Sequence, residues 1–285
     1  MILTALMLMQ AGYSPETEAV MNRARKEAHE KRQVDRQLEG LSIFLPQETA
    51  AQLQACIDAA ADDPEAGMAQ ARAWIVKGGG FSARQCLAYG LSEAGRWSEA
   101  VDEFNSAALD AQKAGSATDA ARLWVQAGNA ALAGDMPERA VGFFGTAISF
   151  GLPDGLAKGE AYLDRARAQV ALGDLAAARR DMDEALKLAA DDPLAWLLSA
   201  TLARRMDDLP KARNDIAEAQ KRAPDDASVA LEAGNIAILS GDEAAAKASW
   251  ARAMTLSPGS DQAKAAQANL EQLDETGPTP APQSR

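Results

Sequence analysis

The sequence predicts an all-α protein, built as an α-solenoid of stacked helix-turn-helix repeats. One short pattern returns five times along its 285 residues: an alanine, an apolar residue four positions later, and an alanine three positions after that. The leading alanines follow one another at intervals of 40, 38, 34 and 34 along the chain. Such a period is typical of an array in which each repeat packs on its neighbours. The five copies are Ala100, Phe104, Ala107; Ala140, Phe144, Ala147; Ala178, Met182, Ala185; Ala212, Ile216, Ala219; and Ala246, Trp250, Ala253.

The fourth copy shows how each repeat is predicted to fold. Trp196, Ala200 and Ala203 mark one face of a first helix, and a break follows at 207–210. The repeated pattern then marks the apolar face of a second helix, because positions three and four apart share one side of a helix. Pro224 is placed to end that helix, since proline has no N–H to donate.

These residues resemble the tetratricopeptide repeat, a helical pair with a period of about 34, and the resemblance covers residues 81–260. The family places an aromatic residue, then small residues, a bulky residue, alanine and proline at fixed positions. The matching residues of the fourth copy are Trp196, Ala200, Ala212, Ile216, Ala219 and Pro224. The first two copies depart from the family pattern through inserts around 114–116 and 151–154. The resemblance implies about five repeats that bind a protein or peptide partner along the concave face of their first helices.

The remaining segments are assigned from composition and apolar spacing. Terminal helices with a polar outer side keep a solenoid soluble, and a proline-rich end predicts disorder. The assigned segments are an apolar N-terminal stretch at 1–11, a charged helical lead-in at 12–45, a degenerate helical pair at 46–80, the repeats at 81–260, a capping helix at 261–275 and a disordered tail at 276–285.

The apolar stretch at 1–11 is too short to span a bilayer as a helix. Its length suits the core of a secretory signal, with cleavage after Ala11. No Lys or Arg precedes it, and Met9 is not small, so the signal departs from the usual form. We favour export, with an apolar N-terminal cap or a different start as the alternatives.

The charge balance argues against a nucleic-acid partner. The formal net charge is −12, whereas binding to a phosphate backbone needs clustered Lys and Arg. This acidity favours solubility and mildly favours a basic or neutral protein partner.

Enzymatic chemistry is not predicted. The single histidine, His29, lies in the charged lead-in, and the Gly78-Gly79-Gly80 run lacks the Lys and Ser/Thr of a phosphate-binding loop. His and Cys are too few for a typical zinc site. We therefore predict no catalytic, metal or cofactor-binding residues.

Cys56 and Cys86 are the only cysteines, and they lie about one repeat apart on the first helices of successive pairs. First helices of neighbouring pairs stack side by side, so the two sulfurs are candidates for a disulfide. The alternative is a pair of small buried apolar side chains.

The resemblance also implies which side chains face the partner. The side chains at the inward positions are Gln85, Tyr89, Arg122, Asn129, Leu163, Arg167, Leu197, Arg204, Leu231 and Asn235. Guanidinium and amide groups suit an extended peptide backbone or a carboxylate. The family's carboxylate clamp is not predicted, because Val125 and Leu231 stand where its lysine would be. The alternative is an ordinary polar lining.

Two functional hypotheses follow. The first is a non-catalytic protein-interaction scaffold in a bacterial cell envelope, either periplasmic or secreted, without an integral membrane span. The second is a cytoplasmic regulatory or accessory subunit of an enzyme complex, with the repeats as its docking arm.

Overall fold

The structure is a computed structural model that describes residues 45–275. All thirteen elements in this range are helices, and no strand occurs within it. The all-α fold class is therefore confirmed. The described residues form two compact units, an N-terminal unit at 45–190 and a C-terminal unit at 191–275.

Several predictions concern residues beyond this range. The segment 1–11, all but the last residue of 12–45, the tail at 276–285 and His29 lie outside the described residues.

The N-terminal unit holds four helical pairs. Their bounds are α1 Gln47–Asp62, α2 Pro64–Val76, α3 Gly80–Glu93, α4 Trp97–Lys113, α5 Ala117–Ala133, α6 Pro137–Phe150, α7 Leu156–Ala171 and α8 Leu175–Leu188. The C-terminal unit holds two pairs and a further helix. Their bounds are α9 Pro193–Arg205, α10 Leu209–Arg222, α11 Ala227–Leu239, α12 Glu243–Leu256 and α13 Asp261–Glu275.

The turn inside each of the five repeats is closed by one residue with a positive φ. These residues are Gly95, Asp135, Gly173, Asp207 and Gly241. The next residue donates its N–H to the carbonyl five positions back, as Asp208 does to Ala203 at 2.9 Å. This bond satisfies a carbonyl that the helix end would otherwise leave unpaired. Each of the five residues stands five positions before the leading alanine of its repeat, so the turns and the alanines follow the same spacing.

Small residues pack against large ones where the two helices of a repeat cross. All five leading alanines are fully buried, and the apolar residues four positions later are at most 5% exposed. Gly128 lies under the ring of Phe144, and Gly234 lies under the ring of Trp250. A Cβ added at Gly128 would come 2.7 Å from the Phe144 ring, and one at Gly234 would come 2.4 Å from Trp250. The repeated pattern therefore encodes close helix contacts.

The two inserts take different forms. Around 114–116 the turn itself stays short, and the additional residues lengthen α4 and α5 to 17 residues each, against 14 for α6 and α8. The second insert is a loop at 151–155 between α6 and α7. Leu152 buries its side chain there, and Gly155 has a φ of 112°, which favours glycine.

Candidate functional site

The first helices of two successive pairs, α3 and α5, share one polar side in the N-terminal unit. The side-chain amide of Gln85 on α3 donates to the amide oxygen of Gln126 on α5, with Nε2 and Oε1 3.2 Å apart. Tyr89 lies one turn after Gln85, while Arg122 and Asn129 lie one turn before and after Gln126, so all five share this side. Their side chains are half-buried. We call these five residues the α3–α5 face.

Three of the predicted inward-facing residues are buried instead. Leu163, Leu197 and Leu231 are 2, 5 and 6% exposed. Leu197 packs in a cluster with Ile216 and Ile236. These leucines therefore fill the core, and the structure does not support the predicted role of Leu197 in contacting a partner. Gln85 holds the equivalent register position on α3 and remains half-buried.

Arg167, on α7, forms an ion pair with Asp164 one turn earlier. The guanidinium Nη1 lies 3.3 Å from the Asp164 carboxylate, which is buried. The arginine at this predicted site thus has a carboxylate partner within its own helix.

The predicted polar residues of the C-terminal unit belong to a bonded network. Arg204 on α9 donates through Nε and Nη2 to the two carboxylate oxygens of Glu232 on α11, at 2.7 and 3.3 Å. Asn235 donates from Nδ2 to Glu232 at 3.2 Å. Its amide oxygen accepts from Trp250 Nε1 at 3.1 Å and from Asn269 Nδ2 at 3.0 Å. We call these five residues the α9–α13 network.

The network stabilises the C-terminal unit from within. Glu232 is 6% exposed, and a buried carboxylate is costly unless charge and hydrogen bonds compensate it. Both acceptor directions of the Asn235 amide oxygen and one of its two N–H groups are already used. Arg204 and Asn235 therefore connect four helices of this unit.

Two important residues were not predicted from the sequence. Gln126 and Glu232 occupy the same register position, at one fixed interval before the leading alanines Ala140 and Ala246. Asp164 lies at this position in the repeat led by Ala178. A polar or acidic residue directly after an apolar one at this position, in three of the five repeats, was the available signal, because a buried charge needs a partner.

The α7–α8 pair contains a second ion pair. Arg165 donates from Nε and Nη2 to the two oxygens of Asp181, both at 2.7 Å, and its guanidinium lies 5.3 Å from the centre of the Tyr162 ring. The hydrogen bond to Asp181 raises the pKa of Arg165 above its usual value, against the opposing effect of burial. The pair is a fixed structural contact within one repeat.

Cys56 on α1 and Cys86 on α3 form a disulfide. Their Cα atoms are 6.0 Å apart, and both residues are fully buried. The bond ties the pair at 46–80 to the first of the five repeats.

The described residues hold neither a metal centre nor a membrane span. No group of three or more His, Cys, Asp and Glu side chains in the range 45–275 is arranged to hold a metal ion. None of the helices α1 to α13 has both the length and the apolar character needed to cross a bilayer.

Comparison with known proteins agrees with the helical-repeat fold. Residues 159–192, which include most of α7 and all of α8, match the model of the tetratricopeptide repeat. Comparison with curated protein sequences gives no match.

Three solved structures illustrate the fold. The type IV pilus biogenesis factor PilW is 17% identical with a TM-score of 0.62, covering 79% of this chain and 100% of that one. PilF from Pseudomonas aeruginosa is also 17% identical, with a TM-score of 0.60, covering 78% of this chain and 100% of that one. YrrB, described as a TPR protein with an unusual peptide-binding site, is 18% identical with a TM-score of 0.52, covering 66% and 91%. At these identities the likeness concerns the fold.

The paired helices, the buried alanine pattern and the positive-φ turns define a helical-repeat protein of the solenoid class. Within that class, residues 159–192 match the tetratricopeptide repeat, and the described residues share the fold of solved tetratricopeptide-repeat structures.

Proposed function

We propose that this protein is a non-catalytic scaffold that holds an extended segment of a partner protein on the α3–α5 face, in a bacterial cell envelope. The observation that carries the proposal is the amide pair of Gln85 and Gln126, which joins two successive first helices at 3.2 Å.

The chemistry of the face fits a peptide. Side-chain amides carry both donors and acceptors, so they complement the N–H and C=O groups of an extended backbone. Tyr89 and Arg122 flank the amides and offer a ring and a guanidinium, the residue types enriched where partners bind most tightly. YrrB, which has the same fold, is described as binding a peptide.

Two features support a location in the envelope. The first is the Cys56–Cys86 disulfide, because such bonds persist in oxidising compartments such as the periplasm. The second is the apolar stretch at 1–11, whose length suits a secretory signal. PilW, a protein of the same fold, is described as a pilus biogenesis factor.

Site-specific photocrosslinking in cells tests the binding surface. A photoreactive phenylalanine analogue replaces Tyr89 or Asn129 on the face, and Arg180, exposed on α8, serves as the matched control. We expect both face positions to give an adduct with the same protein, identified by mass spectrometry, and Arg180 to give none. Adducts from Arg180 alone would place the partner elsewhere and contradict the proposal.

The identified partner then allows an affinity measurement. The double substitution Tyr89→Ala and Asn129→Ala should weaken binding about tenfold or more, because each removes a contact in the proposed interface. Arg180→Ala should leave the affinity unchanged. Far-UV circular dichroism should show the same helicity for all three proteins.

N-terminal sequencing of the mature protein tests the location. A start near Gly12 supports export, and a retained Met1 supports the cytoplasmic accessory-subunit hypothesis. Alkylation of the intact protein before lysis gives a second readout, because two alkylated thiols would remove the disulfide as an argument for export.

A further inference from the structure

The α1–α2 hairpin is attached to the repeats through a joint that contains three consecutive glycines. Helix α2 ends at Val76, and α3 begins at Gly80. Gly78 and Gly80 have φ values of 86° and 57°, and a Cβ added at either would meet no atom within 4 Å. Gly79 between them packs against Trp74, where an added Cβ would come 2.5 Å from the ring, and this contact holds the closed joint. Once that contact is lost, the backbone itself resists reorientation of the hairpin only weakly, because glycine restricts backbone rotation least.

The contacts of the hairpin with α3 are apolar and close. Met68 on α2 is fully buried, and a Cβ added at Gly90 on α3 would come 2.8 Å from its side chain. Both α1 and α2 pack against α3. Among the described residues, α1 and α2 pack mainly on each other and on α3, and a pair with few neighbours opens more easily than an internal pair.

The disulfide reinforces this packing at one point. Cys56 lies on α1 and Cys86 on α3, and the bond closes a segment of 30 residues that includes the whole of α2 and the glycine joint. A cross-link of this kind restricts the open and unfolded states of the segment it closes. While the bond is intact, α1 stays joined to α3 at Cys56 and Cys86, and the hairpin fluctuates only around that point.

We propose that the α1–α2 hairpin is a cap whose closure over α3 depends on the oxidation state of Cys56 and Cys86. A dithiol reductant converts the disulfide into two thiols and is itself oxidised to a disulfide, so two electrons and two protons pass to the protein. Among the described residues, the reduced hairpin is held by its non-covalent contacts with α3 and with Arg96, and it opens about the glycine joint. Opening uncovers the apolar side of α3, including Ala83, Cys86 and Leu87, all of which the closed form buries.

Hydrogen–deuterium exchange of the full chain tests this proposal. We compare the oxidised protein, the protein reduced by dithiothreitol, and two variants without the bond. The first variant, Cys56→Ala with Cys86→Ala, leaves space in the core. The second, Cys56→Val with Cys86→Ala, restores volume. A change that it shows is therefore due to the lost covalent link and not to lost packing. We expect exchange across 47–76 to rise about tenfold or more in the reduced protein and in both variants, with 117–150 unchanged.

Alkylation gives an independent readout. After native reduction, Cys86 should react with a maleimide reagent as the hairpin opens, because the residue is fully buried in the closed form. Addition of reductant to either cysteine-free variant should change nothing further.

Three outcomes would overturn the proposal. The first is unchanged exchange over 47–76 together with unreactive thiols, because the hairpin would then stay closed without the bond. The second is faster exchange throughout 45–190, because the disulfide would then maintain the whole unit. The third is a change confined to the Ala/Ala variant, which would assign the effect to lost packing.

Discussion

Helices α5 and α11 occupy the same place within their repeats, but their matching residues carry different chemical groups. The interval from Gln126 to Ala140 equals the interval from Glu232 to Ala246. Asn129 and Asn235 also occupy one shared position in their repeats. On α5 the first of these positions carries a neutral amide that accepts a hydrogen bond from Gln85. On α11 it carries a carboxylate that binds Arg204 and Asn235.

An amide and a carboxylate place different demands on the two faces. The carboxylate of Glu232 is buried and engages the guanidinium fork of Arg204, so the polar atoms at this position are committed to the fold. The half-buried amides of the α3–α5 face carry no formal charge that burial must offset. One repeat position therefore serves internal stability in the C-terminal unit and, under the proposed function, recognition in the N-terminal unit.

The largest expected effect comes from exchanging these two residue types. Glu232→Gln should destabilise the protein by about 3 kcal/mol, because the substitution removes the buried carboxylate that binds the Arg204 guanidinium through two hydrogen bonds. The reciprocal change Gln126→Glu should cost less than about 1 kcal/mol, since the new carboxylate lies on a half-buried face one turn from Arg122. Urea denaturation followed by circular dichroism measures both. Equal costs would show that the two faces are energetically alike.

Packing should be the same in both units. Gly128→Ala and Gly234→Ala should each cost about 1–3 kcal/mol, because the added methyl group meets the ring of Phe144 or Trp250. Gly142→Ala is the matched control, since a Cβ there meets no atom within 4 Å. It should stabilise the protein by about 0.5–1 kcal/mol through helix propensity. Melting temperatures provide the test. If Gly128→Ala lowered the melting temperature and Gly234→Ala did not, the two units would pack differently.

The smallest expected effect concerns the turns. Asp135 in the N-terminal unit and Asp207 in the C-terminal unit have φ values of 56° and 62°, where the other three repeats have glycine. Asp135→Gly and Asp207→Gly should each stabilise the protein by about 0.5 kcal/mol, because glycine adopts this conformation without strain. Asp135→Asn and Asp207→Asn remove the charge and keep a residue that tolerates this φ, so they should change stability less. A loss of stability in both glycine variants would mean that the carboxylates matter more than the turn conformation.

The sequence predicted the fold well because the contacts that build it are local and periodic. The alanine pattern marks close helix crossings, and all five leading alanines are buried. It predicted the site less well. Leu197 was assigned to the binding face from its register alone, although an apolar side chain at that position can equally turn into the core. Arg204 and Glu232 lie 28 residues apart, an interval that is not the repeat period, so periodicity did not reveal their contact.

The register also continues past the fifth repeat. Asn269 on α13 bonds to Asn235 and Gln262 bonds to Ser228, each across an interval of 34 residues. Helix α13 therefore packs against α11 in the way that the first helix of one repeat packs against the first helix of the preceding repeat. A tandem duplication of 34 residues in this part of the chain would reproduce these contacts at the new junction. An insertion of another length would shift the bonded residues out of register. Evolution can therefore lengthen this end of the array one repeat at a time without redesigning the repeats already present.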